Sequence, residues 1–211
     1  MGGMAARVTS QDGQCWMTGA DSEAQTPMKP IPKTWWVKSG ELLAGCYPGD
    51  VNPEQAEQKL EALLKAGIRR FICLQPADEP GRDGKVFEPY LMPLIRLARE
   101  RDVGISWLRF PIPDMGVPEE EFMRKILDCV DAGLRHREPV YVHCWGGHGR
   151  TGTVIGCWLV RHGMPGNDAL REIARLRQGD PHLRNQVAPQ TDEQSGMVRD
   201  WAMSEQRKSI S

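Results

Sequence analysis

The sequence predicts an α/β protein with a central, mostly parallel sheet flanked by helices. Short apolar runs typical of buried strands alternate along the chain with segments of helical periodicity. The 211 residues contain no internal repeat, and this length fits a single domain. A content of 40% hydrophobic and 26% charged residues excludes a wholly disordered chain. Strands that alternate with helices in one domain build a layered α/β fold.

The first predicted elements are a hairpin and a helix. Residues 34–37 and 41–44 have β character and are joined by a Ser-Gly turn, which favours a hairpin. Asn52 and Pro53 then supply an N-cap and a proline at the first helical position. This helix is predicted to end at Gly67. Its apolar face consists of Ala56, Leu60, Leu63 and Leu64.

The remaining elements alternate between strand and helix before three helices close the chain. Further strands are predicted at residues 70–74, 105–110 and 139–143. Further helices are predicted at residues 88–100, 119–136, 150–162, 167–178 and 191–207. Pro93 must lie in the first turn of its helix, or that helix begins later than residue 88. Residues 75–85, rich in Pro, Gly and Asp, are predicted to be a loop.

The two ends of the chain differ in character. Residues 1–30 show neither helical nor strand periodicity and are predicted to be a disordered N-terminal arm, which leaves residues 31–207 as one domain. The N-terminus lacks the apolar run of a signal peptide. We therefore expect a cytoplasmic protein whose six cysteines are reduced thiols, most of them in the core.

Charge and hydropathy argue against two classes of partner. The formal net charge is −1, so the chain has no global field for nucleic acid or anionic lipid, and any anion must be held by a local site. No uncharged apolar stretch reaches the ~18 residues that a membrane-spanning helix needs. We therefore expect no nucleic-acid partner and no membrane span.

One local anion site is evident where the strand at residues 139–143 meets the following helix. The connecting residues, Trp145, Gly146, Gly147, His148 and Gly149, are rich in glycine, which lets successive N–H groups point into one concavity. The helix N-terminus adds free N–H groups and the positive end of its dipole. Arg150 adds a planar fork of donors that matches two oxygens of a phosphate.

Cys144 lies at the mouth of this predicted phosphate site. The donors that bind phosphate would also stabilise its thiolate, which would then face a bound phosphoryl group as a nucleophile. The loop lacks the Gly-Lys-Ser/Thr ending of a Walker A motif. A buried structural cysteine and a rhodanese-like sulfurtransferase are the alternatives that these residues leave open.

Asp114 is the candidate general acid. It lies in the Pro-rich loop after the strand at residues 105–110, at the same end of the sheet as Cys144. A carboxylic acid there can protonate the leaving oxygen of a phosphate ester, and Gly116 offers a hinge. Considered alone, Asp114 also fits a turn or cap residue.

Three segments carry a resemblance to a known family. Residues 143–152 resemble the signature loop of the cysteine-dependent protein tyrosine phosphatase superfamily, and residues 110–118 resemble the acid loop of its dual-specificity members. Residues 188–194 resemble the glutamine loop of the tyrosine-specific members. The resemblance extends over residues 34–202. It implies a three-layer phosphatase fold and catalysis through a phosphocysteine, with no metal and no cofactor.

The resemblance also implies roles for further residues. Gln190 would position the water that hydrolyses the phosphocysteine, with Gln194 as a weaker candidate, although both also suit a plain helix start. Thr151 would donate its hydroxyl to the Cys144 sulfur, and His143 would either orient the cysteine or merely pack. The ring of His148 would read substrate charge at mildly acidic pH.

Residues outside these segments are expected to be structural. Core packing is favoured over a redox role for four cysteines, which are Cys46, Cys73, Cys129 and Cys157. Arg171, Arg175 and Arg177 are expected to form a solvated helix face, with a recognition patch as the alternative.

The sequence thus predicts a metal-independent phosphatase for phosphotyrosine, and for phosphoserine or phosphothreonine, on protein substrates. No segment matches the loop that deepens the pocket of tyrosine-specific enzymes, so side-chain preference stays open. The alternatives are an inositol phosphate or phosphoinositide phosphatase and a non-catalytic phosphoprotein-binding module.

Overall fold

The computed structural model describes residues 28–81, 84 and 89–208, with side chains up to residue 205. Residues 1–27 of the predicted arm lie outside the described residues. The described part begins slightly before the predicted domain start at residue 31. The ammonium of Lys29 already contacts the body of the fold, 3.3 Å from the carboxylate of Asp180.

Five strands form one sheet in the order β1-β2-β5-β3-β4. The strands are β1 (Thr34–Lys38), β2 (Leu42–Gly45), β3 (Arg70–Cys73), β4 (Ser106–Arg109) and β5 (Val140–His143). Only β1, the first arm of the predicted hairpin, is antiparallel to its neighbour, and the other pairs are parallel. The predicted α/β class with a mostly parallel sheet is confirmed.

Six helices are present in the described residues. They are α1 (Pro53–Lys65), α2 (Leu91–Glu100), α3 (Glu120–Arg135), α4 (Gly149–Arg161), α5 (Gly166–Arg177) and α6 (Asp192–Lys208). Asn52 caps α1 as predicted, because its side chain accepts hydrogen bonds from the first two free N–H groups. Helix α2 begins three residues later than predicted, which brings Pro93 into the first turn, where an N–H has no intrahelical partner.

The sheet separates two apolar cores because alternate side chains of each strand point to opposite faces. Val140 and Val142 of β5 face the core built by α3, α4, α5 and α6, whereas Tyr141 faces the core built by α1 and α2. The molecule therefore has three layers, helices on sheet on helices. Every residue of α4 from Gly149 to Val160 is buried, so this helix is the centre of one layer.

None of the helices in the described part of the chain combines the length and the apolar content that crossing a bilayer requires.

Candidate active site

The carboxyl ends of the parallel strands bring the predicted site residues to one edge of the sheet. Cys144 follows β5 directly, and the loop that carries Asp114 follows β4. Both residues line a cavity of about 1100 Å³. Its walls also contain Trp145, Gly146, His148, Arg150 and Gln190. Cys144 lies at the bottom, with 3% of its surface exposed.

The loop between Cys144 and α4 has the shape that its glycines predict. Gly147 has a φ of +73°, and a Cβ at this position would lie 2.6 Å from the carbonyl carbon of Gly45 at the end of β2. Both the left-handed backbone and the close approach therefore require glycine. Among the described residues, the N–H groups of Gly146, Gly147 and His148 have no protein acceptor. They remain available for an anion, beside the positive end of the α4 dipole.

Arg150 is held from three sides in the first turn of α4. Both terminal nitrogens of its guanidinium bond to the carboxylate of Glu79, with Nη2 2.8 Å from Oε1. Nη1 also donates to the carbonyl of Ile112 at 3.2 Å, and Nη2 lies 3.0 Å from Oδ1 of Asp114. These anionic partners offset the burial of the guanidinium and raise the pKa of Arg150. The guanidinium is thereby fixed between the phosphate loop and the acid loop.

Glu79 is a site residue that sequence reasoning missed. Its side chain is 8% exposed and accepts a third hydrogen bond from Nε2 of Gln75 at 3.2 Å. The sequence places Glu79 in a Pro-rich loop, where the neighbouring residues give no sign that its side chain is buried rather than exposed to solvent. Its partner Arg150 lies 71 positions further along the chain. Only the geometry of the sheet edge brings the two together.

Asp114 is accessible, as a general acid must be. Its side chain is 52% exposed and contacts Arg150 across the cavity. The next residue, Met115, has a φ of +60°, which is unusual for a residue with a side chain. The start of α6 holds this loop, because Nε2 of Gln194 donates to the carbonyl of Gly116 at 3.0 Å. The acid loop is thus tied to both Arg150 and α6.

The two glutamines of the predicted glutamine loop occupy different places. Gln190 lines the cavity, and its Oε1 accepts a hydrogen bond from the N–H of Gly149 at 3.1 Å. That N–H, predicted to bind phosphate, therefore already has a partner. Gln194 is fully buried and, with Thr191, forms a capping box. Gln194 is a structural residue of α6, whereas Gln190 keeps access to the site.

A chain of hydrogen bonds behind the phosphate loop positions His143. Nε1 of Trp107 donates to Oη of Tyr90, which lies 2.7 Å from Nε2 of His143. Nδ1 of His143 is 3.3 Å from the carbonyl of Cys144. Complete burial lowers the pKa of His143 to about 3, so the ring is neutral and can donate from Nδ1 and accept at Nε2. This arrangement supports an orienting role for His143 through the backbone of Cys144.

His148 and Arg177 correct two sequence expectations. Nη2 of Arg177 donates to Nδ1 of His148, and burial together with the charges of Arg177 and Lys33 lowers the pKa of His148 to about 4. The ring is therefore neutral at mildly acidic pH and is not the charge reader that the sequence suggested. Arg177 was expected at the surface but is 2% exposed, because it packs over Trp35 and under the phosphate loop.

The other two arginines of α5 follow the expectation. Arg171 and Arg175 are exposed and pair with Asp168 and Glu172 one turn away. Such pairs at the surface contribute little to stability. They form a solvated face, as predicted.

Thr151 is buried at the start of α4, beside the end of β2. Its hydroxyl donates to the carbonyl of Gly45 at 3.4 Å. A bond from this hydroxyl to the Cys144 sulfur remains a prediction for the reacting enzyme.

The other described cysteines are free thiols. Burial raises the pKa of each, most strongly for Cys157, and to about 11 for Cys46. Cys73 and Cys157 are core residues, whereas Cys46 also borders the cavity. Within the described residues, no cluster of His, Cys, Asp or Glu has the three members that a metal site needs.

Comparison with known proteins agrees with this geometry. Residues 49–164, more than half of the chain, match the model of a family described as "Polymorphic toxin system, DSP-PTPase phosphatase". The chain is 40% identical over 135 residues to "Putative tyrosine phosphatase 197R" of Invertebrate iridescent virus 6, covering 62% of this chain and 42% of the viral protein. It is 43% identical over 58 residues to "Putative tyrosine phosphatase 067L" of Invertebrate iridescent virus 3, covering 26% of this chain and 24% of that protein.

The chain thus spans less than half the length of each of these curated relatives. Among solved structures, Tk-PTP in its active form has a TM-score of 0.63 at 24% identity, over 82% of this chain and 97% of that chain. The three-layer fold predicted from the resemblance is therefore confirmed.

Proposed function

Because the chain belongs to the DSP-PTPase phosphatase family, we propose that it hydrolyses phosphate esters on protein side chains through a phosphocysteine intermediate. The phosphorylated residues are phosphotyrosine and phosphoserine or phosphothreonine. One observation carries the proposal. A nucleophile, an oriented guanidinium and an accessible carboxyl group, from Cys144, Arg150 and Asp114, border the same cavity, whose floor is a loop with free N–H groups.

In the first step, the thiolate of Cys144 attacks phosphorus. The N–H groups of residues 145–148 and the guanidinium of Arg150 bind the equatorial oxygens and stabilise the charge of the transition state. The incoming phosphate competes with Asp114 for Nη2 of Arg150. This competition frees the side chain of Asp114 to approach the leaving oxygen. Once displaced from Arg150, Asp114 takes up a proton from the solvent and donates it to the oxygen of the leaving alcohol or phenol.

In the second step, water replaces the enzyme sulfur on phosphorus. Asp114, now ionised, accepts a proton from a water that the side-chain amide of Gln190 positions. The hydroxyl of Thr151 stabilises the departing thiolate. Inorganic phosphate is released, and Cys144 returns to its starting state.

The rim of the cavity supports phosphotyrosine as a substrate. Val51, 94% exposed, and Met115 present apolar surface at the mouth, and Tyr47 contributes an aromatic wall. An aryl phosphate would gain contact with this surface that an alkyl phosphate would not. The inositol phosphate alternative loses its main support, because the His148 ring in the loop is neutral and bound to Arg177.

A phosphorylated protein is accordingly the proposed partner, and the cytoplasm the proposed location. We also propose that residues 31–207 act as one catalytic domain. A non-catalytic binding module is not favoured, because Cys144, Arg150 and Asp114 are all present.

The proposal is tested by phosphate release from phosphotyrosine, phosphothreonine and phosphoserine peptides and from inositol phosphates. The Cys144→Ser variant should bind phosphopeptides but release no phosphate, since serine is a far weaker nucleophile. Asp114→Asn should lower kcat by ~10²–10⁴-fold for alkyl phosphates and less for a good leaving group. Turnover by Cys144→Ser would refute the assignment of Cys144 as the nucleophile. Phosphate release from inositol phosphates, but from none of the phosphopeptides, would show that the substrate is an inositol phosphate and not a phosphoprotein.

A further inference from the structure

Lys33 is held in a rare backbone conformation at the edge of the cavity. Its φ is +59°, in the left-handed region that residues with a Cβ rarely adopt. Two hydrogen bonds fix it there. Its N–H donates to the buried carboxylate of Asp180 at 3.0 Å, and its carbonyl accepts from the N–H of Cys46 at 3.2 Å. These two hydrogen bonds therefore fix the backbone of Lys33, and with it the direction in which its side chain leaves the chain.

The side chain of Lys33 borders the same cavity as Cys144 and Arg150. Lys33 lies next to Cys46, whose N–H bonds to its carbonyl, and it lines the cavity together with His148 of the phosphate loop. Its positive charge opposes the burial that raises the pKa of Cys46 and adds to the burial that lowers the pKa of His148. A positive charge is thus present beside the phosphate cradle and separate from it.

Lys33 differs from Lys59 and Arg150, the other cations of the cavity, in having no anionic partner among the described residues. Lys59 is paired with Asp50 at 2.6 Å, and Arg150 with Glu79 and Asp114. Among the described residues, no carboxylate lies within ion-pair distance of the Lys33 ammonium. This charge is therefore free to meet an anion that enters from solvent.

The cavity has room for such an anion. Its volume of about 1100 Å³ lies just above the ~300–1,000 Å³ range of ligand pockets. The cavity can therefore hold more than a single phosphorylated side chain. We propose that Lys33 binds a second anionic group of the substrate, the carboxylate of an Asp or Glu next to the phosphorylated residue. This inference rests on the proposed function and adds to it a preference for acidic sequences.

The test compares two phosphotyrosine peptides that differ only in flanking Asp and Glu against Asn and Gln. Wild-type protein should have the higher kcat/KM for the acidic peptide. Lys33→Met should reduce this preference by about threefold to tenfold, mainly through KM, because one charged contact is lost. Lys33→Arg should retain the preference, and Lys33→Glu should reverse it.

Two further variants separate charge from structure. Lys33→Gly adopts the left-handed backbone without strain yet should lose the preference as Lys33→Met does, so that the ammonium and not the backbone is responsible. Lys38→Met removes an exposed lysine that pairs with Glu41 outside the cavity, and it should keep the wild-type preference.

The outcomes distinguish this inference from the proposed function. Hydrolysis of both peptides with a ratio that Lys33→Met leaves unchanged would overturn the role of Lys33 while the phosphatase assignment stands. Absence of hydrolysis of either peptide by wild-type protein would overturn both. A Lys33-dependent rate with inositol polyphosphates, but not with the peptides, would overturn the acidic peptide as the ligand.

Discussion

At the scale of single residues, the orientation of Arg150 depends on Glu79. A guanidinium with 2% of its surface exposed must be paired, because an uncompensated buried charge is costly. The bidentate contact with Glu79 satisfies that requirement and also fixes the plane of the guanidinium toward the cavity. The same contact thus stabilises the fold and prepares the site for phosphate.

We predict that Glu79→Gln lowers kcat/KM by about tenfold to hundredfold, because a charge-assisted hydrogen bond worth about 1.5–3 kcal/mol is lost. Steady-state kinetics with a phosphotyrosine peptide measure the effect. Glu57→Gln is the matched control, since Glu57 pairs with Arg96 at the surface. A wild-type kcat/KM in Glu79→Gln would show that Arg150 needs no anchor.

At the scale of elements, α4 and α6 control opposite sides of the site. Helix α4 supplies Arg150 and the N-terminus that is proposed to bind phosphate, and its burial fixes that terminus against the core. The first turn of α6 holds both loops around the cavity. Gln194 joins the N–H of Gln190 to the carbonyl of Gly116, so Gln190, proposed to position the water, and the loop of Asp114 share one support.

The shared support predicts a double effect for Gln194→Ala. The N–H groups of Gln190 and Thr191 lose their acceptor, the buried side-chain oxygen of Gln194, although the hydroxyl of Thr191 still caps the helix. This loss should destabilise the protein by about 1–2 kcal/mol in urea unfolding. The acid loop loses its hydrogen bond at Gly116, so kcat should fall more for alkyl than for aryl phosphates, which need less help from an acid. Glu193→Ala changes the exposed neighbour in the same turn and serves as the control. Equal losses for both leaving groups would contradict the link to the acid loop.

At the scale of the whole molecule, the stability of the fold depends on pH, because two histidines beside the site are buried in their neutral form. His143 is fully buried behind the phosphate loop, where the pKa falls from 6.5 to about 3. His148 also has a lowered pKa, of about 4. The unfolded chain therefore binds these protons at a higher pH than the folded chain. The contribution of these two histidines to the free energy of unfolding is fully present above about pH 6.5 and is lost as the pH falls toward 3.

We predict that the free energy of unfolding falls between pH 7.5 and pH 5 by about 2 kcal/mol for the fully buried His143, and by less for the half-buried His148, where solvent screens the charge. Urea titrations at the two pH values measure it. His143→Gln should remove more than half of the decrease, whereas His136→Gln, at an exposed position, should leave it unchanged. An equal free energy at both pH values in wild-type protein would contradict the burial of neutral histidines.

The sequence by itself was sufficient to predict most strands and helices and to predict that Cys144, the glycine-rich loop and Asp114 lie at one edge of the sheet. Periodicity and turn chemistry act over a few residues, which is why the strands, the cap at Asn52 and the glycine-rich loop after Cys144 could be recognised. Cys144, the proposed nucleophile, and the loop proposed to bind the phosphate lie in one segment, so this part of the candidate site could be predicted from neighbouring residues as well. Asp114 followed because parallel strands present their carboxyl ends at one edge.

The tertiary structure alone decided which distant side chains support that site. Glu79 and Arg150 are 71 positions apart, and Arg177 and His148 are 29 apart. Neither pair leaves a local pattern, since an acid in a loop and an arginine near a helix end are usually solvated. Lys33 and Gln194 acquire their places in the same way. Packing brings these groups together, and the cost of burying charge without a partner then fixes their contacts.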